Sequence, residues 1–217
     1  LSPVTLQLLK NFSVIGQNMQ FKAGTTVKTI SPQKNVLAIG EINETIPHDF
    51  AIYDLGRLLG ILSMFDNPEL DLGEKSILID GKVDYKFADP SMIVAPPDKD
   101  LAFPEPDVSF VLSTTDLREV TRFAQALSVP HICVEGKDGK INLVATDLHN
   151  VSCDKWENPI GETDLTFNFV FTAGNVHKCY AGDYTIEITS KGISKWSHSI
   201  LNLQYFLATE SDSTFGG

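Results

Sequence analysis

The sequence predicts an α+β protein made of two similar domains, each combining sheet and helices. The first observation is an internal repeat. Five positions of the opening stretch LSPVTLQLLKNF, residues 1–12, recur 111 residues later in LSTTDLREVTRF, residues 112–123; four are identical and one exchanges Leu for Val. The second observation is that both halves follow the same order of helix, strands, helix and strands, as judged from hydrophobic spacing.

The first half opens with a helix over residues 2–13. Ser2 can accept a hydrogen bond at the helix start, and Pro3 occupies a first-turn position that tolerates proline. Apolar residues then recur at helical spacing as far as Phe12. GTTVKTI (24–30) and NVLAIGEI (35–42) alternate in the way that predicts strands.

The rest of the first half predicts a strand, a second helix and a hairpin. In DFAIYDLGRLLGILSMF (49–65), the strand ends at Ile52, Asp54 can cap the helix, and leucines follow at helical spacing. SILIDGKVDYKFAD (76–89) predicts a hairpin with Asp80-Gly81 at its tip, since Asp-Gly suits a two-residue turn.

A proline-rich stretch separates the halves. APPDKDLAFPEPD (95–107) contains four of the chain's eleven prolines, and proline removes a backbone donor and fixes φ. The expected organisation is therefore a first domain over residues 1–98, an interdomain connector over 99–107 and a second domain over 108–217.

The second half repeats the order of elements. It begins with a helix over 113–128, capped by Ser113. The expected elements after it are a hairpin at 131–147 turning near Asp138-Gly139, a strand at 165–171, a short weak helix at 172–182 (TAGNVHKCYAG), a hairpin at 183–199 and a last strand at 201–209.

Composition indicates an ordinary globular protein. Seventeen basic and twenty-eight acidic residues give a net charge of −11, which argues against a general nucleic-acid binder unless the positive charges collect on one surface. No apolar run approaches the roughly 20 residues of a membrane helix, and no signal segment opens the chain, so no membrane partner is expected. Three widely spaced cysteines predict no disulfide framework, as in a reducing cytoplasm.

The polar faces of the predicted helices carry the strongest functional signal. At 100° per residue, each helix places one or two positive residues opposite its apolar side. For any single helix this is typical of a solvated face, whereas four helices together favour one shared basic surface. The residues concerned are Lys10, Arg57, Arg118, Arg122 and Lys178.

Catalytic and metal-binding alternatives have weaker support. His131-Ile-Cys133 and His177-Lys-Cys179 have two potential zinc ligands each, but neither has the C-x₂-C spacing of structural zinc modules. Cys133 lies in an apolar strand pattern, which favours a plain buried thiol. Cys153 is a candidate nucleophile because His149, Asp147 and Asp154 lie near it in the sequence. The stretch is predicted to be a polar loop, which gives this hypothesis no further support. No nucleophile elbow, Walker loop or dinucleotide fingerprint is present, so the sequence predicts no enzyme, no metal and no cofactor.

Several short motifs, in order and spacing, resemble one known family. They are LLKNF (8–12), AIYDL (51–55), GILSM (60–64), KDGKI (137–141), FNFVF (167–171) and ESDST (210–214). With them the chain resembles the sliding clamps of T4-type bacteriophages, the processivity factors of the phage DNA polymerase, along nearly its whole length.

The resemblance implies a DNA-clamp fold and a closed ring of three identical subunits. Helices would line the pore around double-stranded DNA, which is bound without sequence preference, and Lys10, Arg57, Arg118, Arg122 and Lys178 would face the phosphates. The implied partners are the C-terminal peptide of the replicative polymerase and a clamp-loader complex. The implied setting is phage DNA replication in the host cell cytoplasm, with late transcription as a further use of the clamp.

The resemblance also implies an apolar pocket for partner peptides near the connector and the last strand. The matching residues are Leu101 and Phe103 with Tyr205 and Leu207. The alternative is that the last-strand residues are core residues. Strand alternation puts Tyr205 and Leu207 on one side and Phe206 on the other, so not all of them can line the pocket.

Two function classes compete with the ring clamp. One is a hydrolase or metal enzyme on a two-domain α+β scaffold, and the other is an adaptor that oligomerises without DNA. Molar mass in solution separates them: a species near three times 23.9 kDa favours the clamp, and a monomer with bound metal favours the enzyme.

Overall fold

The chain forms two compact units, residues 1–100 and 101–217. The computed structural model describes residues 1–99 and 101–216. Residue 100, within the predicted connector, and residue 217 lie outside the described residues. In the described part of the connector, residues 99 and 101–107, there is no helix or strand. None of the helices formed by the described residues is long and apolar enough to cross a membrane.

The first unit has two helices, each started by a side-chain cap. Helix α1 spans Pro3–Ile15, and the backbone N–H of Thr5 donates to Ser2 Oγ at 3.2 Å. Helix α2 spans Leu55–Leu62, and the backbone N–H of Arg57 donates to Asp54 Oδ1 at 2.8 Å. Each cap satisfies an N–H that has no partner inside its helix.

The strands of the first unit form two antiparallel sheets. Strands β1 (Met19–Phe21), β2 (Gly24–Ile30), β3 (Val36–Ile46) and β4 (Phe50–Ile52) are arranged in the order β4-β1-β2-β3. Strands β5 (Leu70–Leu72), β6 (Ser76–Ile79) and β7 (Val83–Lys86) form a meander. Asp80 and Gly81 join β6 to β7 with φ values of 51° and 65°, the positive pair that a type I′ turn requires.

The second unit contains more strands and two more helices. They are β8 (Val108–Leu112), α3 (Thr114–Ala126), β9 (His131–Lys137), β10 (Lys140–Thr146), β11 (Trp156–Glu162), β12 (Thr166–Thr172), α4 (Ala173–Val176), β13 (Tyr184–Thr189), β14 (Ile193–His198), β15 (Leu203–Ala208) and β16 (Thr214–Gly216). One sheet has the order β11-β10-β9-β12-β16, and β15-β14-β13-β8 are neighbours in the other.

Both units repeat one topology. In each unit, three strands follow the long helix, and the next strand pairs with the first of these three. This gives the order β4-β1-β2-β3 in one unit and β12-β9-β10-β11 in the other. A helix follows in each, and then a meander, β5-β6-β7 or β13-β14-β15. The second unit adds β8 and β16. The predicted α+β class with two similar units is therefore confirmed.

The fourth predicted helix is shorter than the sequence pattern indicated. The stretch 172–182 was expected to be helical, but α4 ends at Val176. The N–H groups of Lys178 and Cys179 bond to carbonyls only three residues back, and the N–H of Tyr180 donates to the Tyr205 hydroxyl at 3.0 Å. These tight turns and this tertiary bond replace the helical pattern. Lys178 therefore lies beyond the helix on which it was predicted.

Candidate nucleic-acid interface

The predicted basic residues lie on the solvent side of the helices. Lys10 of α1, Arg57 of α2, and Arg118 and Arg122 of α3 are exposed. Lys178, in the turn after α4, is partly buried and makes an interaction of its own. Arg57, Arg118 and Arg122 are the only arginines in the sequence, so all three belong to helices.

Helix α3 shows why these side chains face outward. It buries Leu117, Val120 and Ala124 against its unit. Arg118 and Arg122 are four residues apart, about one turn, and lie on the opposite side at 100° per residue. Burial of the apolar stripe therefore fixes the direction of both arginines.

Specific contacts hold the two long helices in place. In α1, Thr5 is fully buried, and its hydroxyl donates to Glu44 of β3 at 2.5 Å. Burial opposes the charge of this carboxylate, yet hydrogen bonds from Thr5 and the backbone of Ser2 hold the pKa of Glu44 below its ordinary value. A lowered carboxylate pKa means that this anchor is present at neutral pH and weakens only in acid.

Helix α3 is held against β11. The rings of Phe123 and Trp156 are stacked with centroids 5.3 Å apart, and Asn158 donates to Asp116 at 3.1 Å. The guanidinium of Arg122 lies 5.5 Å from the Phe123 ring centroid, a cation–π contact that biases the arginine toward this edge of the helix.

The four exposed helix cations differ from five of the lysines elsewhere in their ion pairing. Lys22, Lys82, Lys86, Lys155 and Lys195 each lie within 4.0 Å of a carboxylate. Among residues 1–99 and 101–216, no carboxylate lies that close to the four exposed helix cations, Lys10, Arg57, Arg118 and Arg122. Cations without an internal carboxylate partner are free to contact an external anion.

Charge is partitioned between the helices and the remainder of the chain. The four α-helices contain four basic and two acidic residues, whereas the remainder contains 13 basic and 26 acidic residues. The helices are thus net positive in a chain of net charge −11. A surface built from their polar faces attracts polyanions while the other surfaces repel them.

The predicted peptide pocket is only partly accessible. Leu101 is 38% exposed and Phe103 is half-buried. The Phe103 ring centroid lies 6.1 Å from that of Phe206, and the ammonium of Lys195 lies 5.4 Å from the Phe103 centroid. Phe206 is the side chain of β15 that meets Phe103, and the prediction did not include it.

Tyr205 and Leu207 belong to the core instead. Both have 0% exposure. The Tyr205 hydroxyl accepts from the N–H of Tyr180, and its ring meets Tyr184 edge-on at 6.1 Å. Alternation along β15 turns these two side chains inward and Phe206 toward the connector. The expectation that Tyr205 and Leu207 line the pocket is therefore corrected.

The zinc and nucleophile alternatives find no assembled site. Within the described part of the chain, no group of three or more His, Cys, Asp or Glu residues could hold a metal. Cys133 is fully buried with Val144 and Val170, and burial raises the pKa of its thiol to about 12. Burial likewise raises the pKa of Cys179. Neither thiol is suited to form a thiolate ligand or nucleophile at neutral pH.

Cys153 and its neighbouring histidines order a loop. The backbone N–H of Asp147 donates to Cys153 Sγ at 3.2 Å, and that of Leu148 donates to His131 Nδ1 at 3.3 Å. His149 lies 3.9 Å from Asp212. These contacts connect the β10–β11 loop to its surroundings, and they account for the polar pattern without a reaction.

Known proteins similar to this chain are sliding clamps, and the similarity extends over nearly the whole chain. The family described as "gp45 sliding clamp, C terminal" matches residues 109–211. The sliding clamp of Vibrio phage KVP40 is 32% identical over 97% of this chain and 99% of its own length. That of Enterobacteria phage T4 is 31% identical over 99% and 98%.

A solved structure with a similar fold comes from A. fulgidus. This PCNA, solved with the C-terminal region of FEN-1 bound, has a TM-score of 0.70 at 14% identity and covers 97% of this chain and 96% of its own. At that identity the likeness concerns the fold.

Proposed function

This chain belongs to the sliding clamps of T4-type bacteriophages, and we propose that it encircles duplex DNA and tethers the replicative polymerase for processive synthesis. Sliding clamps are not enzymes, and this chain is accordingly a non-enzymatic processivity factor. Topological retention by a ring makes tight binding unnecessary, so contacts weak enough to allow sliding suffice.

The observation that carries the proposal is the set of exposed cations on the helices. We assign DNA contact to these four, Lys10, Arg57, Arg118 and Arg122, and to the partly buried Lys178 in the turn after α4. Contacts to phosphates position a protein on DNA without reading its bases, and they are the contacts that a clamp moving along any sequence requires. The acidic remainder of the chain disfavours DNA on other surfaces.

We propose that three copies close head to tail, joining β7 of one copy to β11 of the next. Both are terminal strands of their sheets within the unit. Exposed Lys82 and Lys86 mark the β7 side, and exposed Glu157 and Glu162 mark the β11 side. Both lysines have carboxylate partners within their own chain. The opposite charges of β7 and β11 are therefore expected to align the two strands more than to strengthen their association.

Sedimentation velocity tests this assembly. We expect a species of about three times 23.9 kDa at concentrations well above micromolar, because a heterologous interface closes into a ring when its rotation fits. Reversing Glu157 and Glu162 to Lys should weaken the trimer, and adding Lys82→Glu and Lys86→Glu should restore it. A monomer or a two-fold dimer for the wild type would contradict the proposal.

We propose that partner peptides bind where the connector meets β15. Leu101 offers exposed apolar surface, and the half-buried ring of Phe103 offers an aromatic wall that is backed by the buried Phe206. Support comes from the A. fulgidus PCNA, which has a similar fold and was solved with the C-terminal region of FEN-1 bound. The ligand proposed here is the C-terminal peptide of the phage polymerase.

Replacing Leu101 by Asp is expected to weaken binding of that peptide while the trimer remains. Loss of an apolar anchor typically costs about 2 kcal/mol, which is roughly 30-fold in affinity. Leu165→Asp is the matched control, because Leu165 is 39% exposed in a different loop. Fluorescence anisotropy with labelled peptide measures both variants. Equal affinities for Leu101→Asp and wild type would place the pocket elsewhere.

Two further roles follow from the family. We propose that a clamp-loader complex opens the ring, and that the same ring serves as a mobile platform for late transcription, both in the host cell cytoplasm. Both roles involve the closed ring around DNA, so they depend on the assembly and on the basic helix surface described above.

A further inference from the structure

A groove lies between α3 and α4 of the second unit. Its volume is about 350 Å³. Ala124, Val129, Ala173 and Gly174 provide small or apolar surface, and the polar side chains around it are Thr121, Gln125, Ser128 and His177. The space could hold a tetrahedral anion together with several water molecules.

Three of the four polar side chains are available to a ligand. Gln125, Ser128 and His177 are exposed, and their side chains make no hydrogen bond or ion pair within the described residues. Thr121 differs, because its hydroxyl donates to the backbone oxygens of Leu117 and Arg118. The groove therefore presents an amide, a hydroxyl and an imidazole to solvent.

The groove borders the basic surface of α3. Arg118 precedes Gln125 by seven residues, so the two lie within about 20° of each other around the helix axis. Arg118 is exposed and has no carboxylate within 4.0 Å in the described part of the chain. Seven residues also separate the two by about 10 Å along the axis, so an anion in the groove lies on the side of α3 that carries this unpaired guanidinium, about two turns from it.

We propose that this groove binds a backbone phosphate of duplex DNA and that His177 makes the contact depend on pH. The inference rests on the proposed clamp function and adds a contact to it. Histidine is the side chain that changes its charge between about pH 5 and pH 8. Neutral imidazole gives the phosphate one donor, whereas imidazolium adds a full positive charge and releases a counterion.

Of the described residues that line the groove, His177 alone is titratable. Lys178 follows it in the chain. Helix α4 packs against α3, β9 and β12, and β12 has no charged residue. The titratable and charged groups on the other two elements are Asp116, Arg118, Glu119 and Arg122 of α3, and His131, Cys133, Glu135 and Lys137 of β9.

Two of these groups have partners outside the groove. Asp116 is bonded to Ser113 and Asn158, and His131 lies in the separate cluster with Asp147. Arg118 and Arg122 are the cations on the exposed face of α3 that have no carboxylate within 4.0 Å in the described part of the chain. A phosphate in the groove is attracted more strongly by a protonated imidazole than by a neutral one, because the hydrogen bond then carries a full charge. Association should therefore tighten as pH falls.

The test compares the salt dependence of DNA association at about pH 6 and about pH 8. Anisotropy of a labelled duplex gives the slope of log K against log salt. For the wild type, we expect the slope to be steeper at the lower pH by about 0.9 for each phosphate contacted through His177. His177→Ala should have the shallower slope at both pH values, and His177→Lys the steeper slope at both.

His149→Ala is the matched control, because His149 is an exposed histidine near Asp212 and is not among the residues that line the groove. It should keep the wild-type pH dependence. Equal wild-type slopes at the two pH values, or a pH dependence that survives in His177→Ala, would overturn the inference while leaving DNA binding by the arginines intact. No wild-type association at either pH would overturn this inference, whereas the clamp function is judged separately by processive primer extension with polymerase and loader.

Discussion

Replacing Gly136 by Ala is expected to destabilise the second unit by about 3 kcal/mol, the upper end of the range for overpacking a buried site. Gly136 lies in β9, directly opposite Phe167 of β12. An added Cβ would lie 2.4 Å from Phe167 Cε1 and 2.6 Å from the backbone oxygen of Leu165. A backbone oxygen beside a paired strand cannot move away without disturbing the ladder.

The displaced ring has further partners. Phe167 lies 5.4 Å from Phe169, which is stacked on Phe215 of β16 at 6.2 Å. Moving Phe167 therefore disturbs the aromatic contacts that fasten the last strand to β12. Because β9 and β10 also contact α3, the disturbance extends to the helix that carries Arg118 and Arg122.

Urea unfolding at a fixed protein concentration measures the effect. Gly161→Ala in β11 is the matched control, because its added Cβ would meet only Ile141 side-chain atoms, at an ordinary 3.6 Å. Glycine inside a strand costs roughly 0.5–1 kcal/mol relative to alanine, so this control should raise the midpoint slightly. The same substitution thus has opposite expected signs at two positions of one sheet. A Gly136→Ala midpoint equal to that of wild type would contradict the steric argument.

Local signals made much of the fold predictable. Ser2, Asp54 and Ser113 were expected to cap helices, and each accepts the hydrogen bond that a cap requires. The two Asp-Gly hairpin tips were also predicted, and Asp138 and Gly139 have the positive φ values of 53° and 78°. These features depend on a few neighbouring residues, so the sequence alone specifies them.

Features that depend on distant partners were not predictable in the same way. Strand β11 contains Pro159 and Gly161, which oppose a strand assignment, and it forms because β10 supplies a paired edge. Strands β1, β5 and β16 have three residues each, too few to reveal a period of two. Helix α4 ended early because the Tyr205 hydroxyl, 25 residues away, accepts the Tyr180 N–H.

The candidate site shows the same difference between features set by neighbouring residues and features set by distant partners. Helical periodicity predicted the outward direction of Arg118 and Arg122, since an apolar stripe determines which side is exposed. For β15, alternation predicted that Tyr205 and Leu207 share a face but not which face is buried. Packing against Tyr184 decides that question, and the Phe103–Phe206 contact follows from it.

Reversing Arg118 and Arg122 to Glu together is expected to abolish most processive synthesis. Both cations lie on the exposed face of α3 and have no carboxylate partner within 4.0 Å in the described part of the chain. The change replaces two attractive phosphate contacts in each subunit by two repulsive ones. A trimer would present such a reversal at six positions around the DNA.

The fold should tolerate the change. Exposed helix substitutions usually alter stability by within about 0.5 kcal/mol, and removing the cation–π contact between Arg122 and Phe123 adds about 0.5–1 kcal/mol. Circular dichroism and sedimentation should therefore match those of the wild type. The matched control is Lys137→Glu with Lys191→Glu, since these lysines are exposed, lie off the helices and give the same change in net charge.

Primer extension with polymerase and loader at several salt concentrations gives the decisive measurement. The arginine variant should lose processivity first at high salt, and its DNA association should have a shallower salt slope by about 0.9 for each phosphate that it no longer neutralises. The reduction should be equal on different templates, because phosphates carry no base information. The lysine control should remain processive, because its charges lie outside the proposed DNA surface. If the arginine variant folds, forms trimers and stays fully processive at every salt concentration, these arginines face bulk solvent and the basic helix surface is not the path of the DNA.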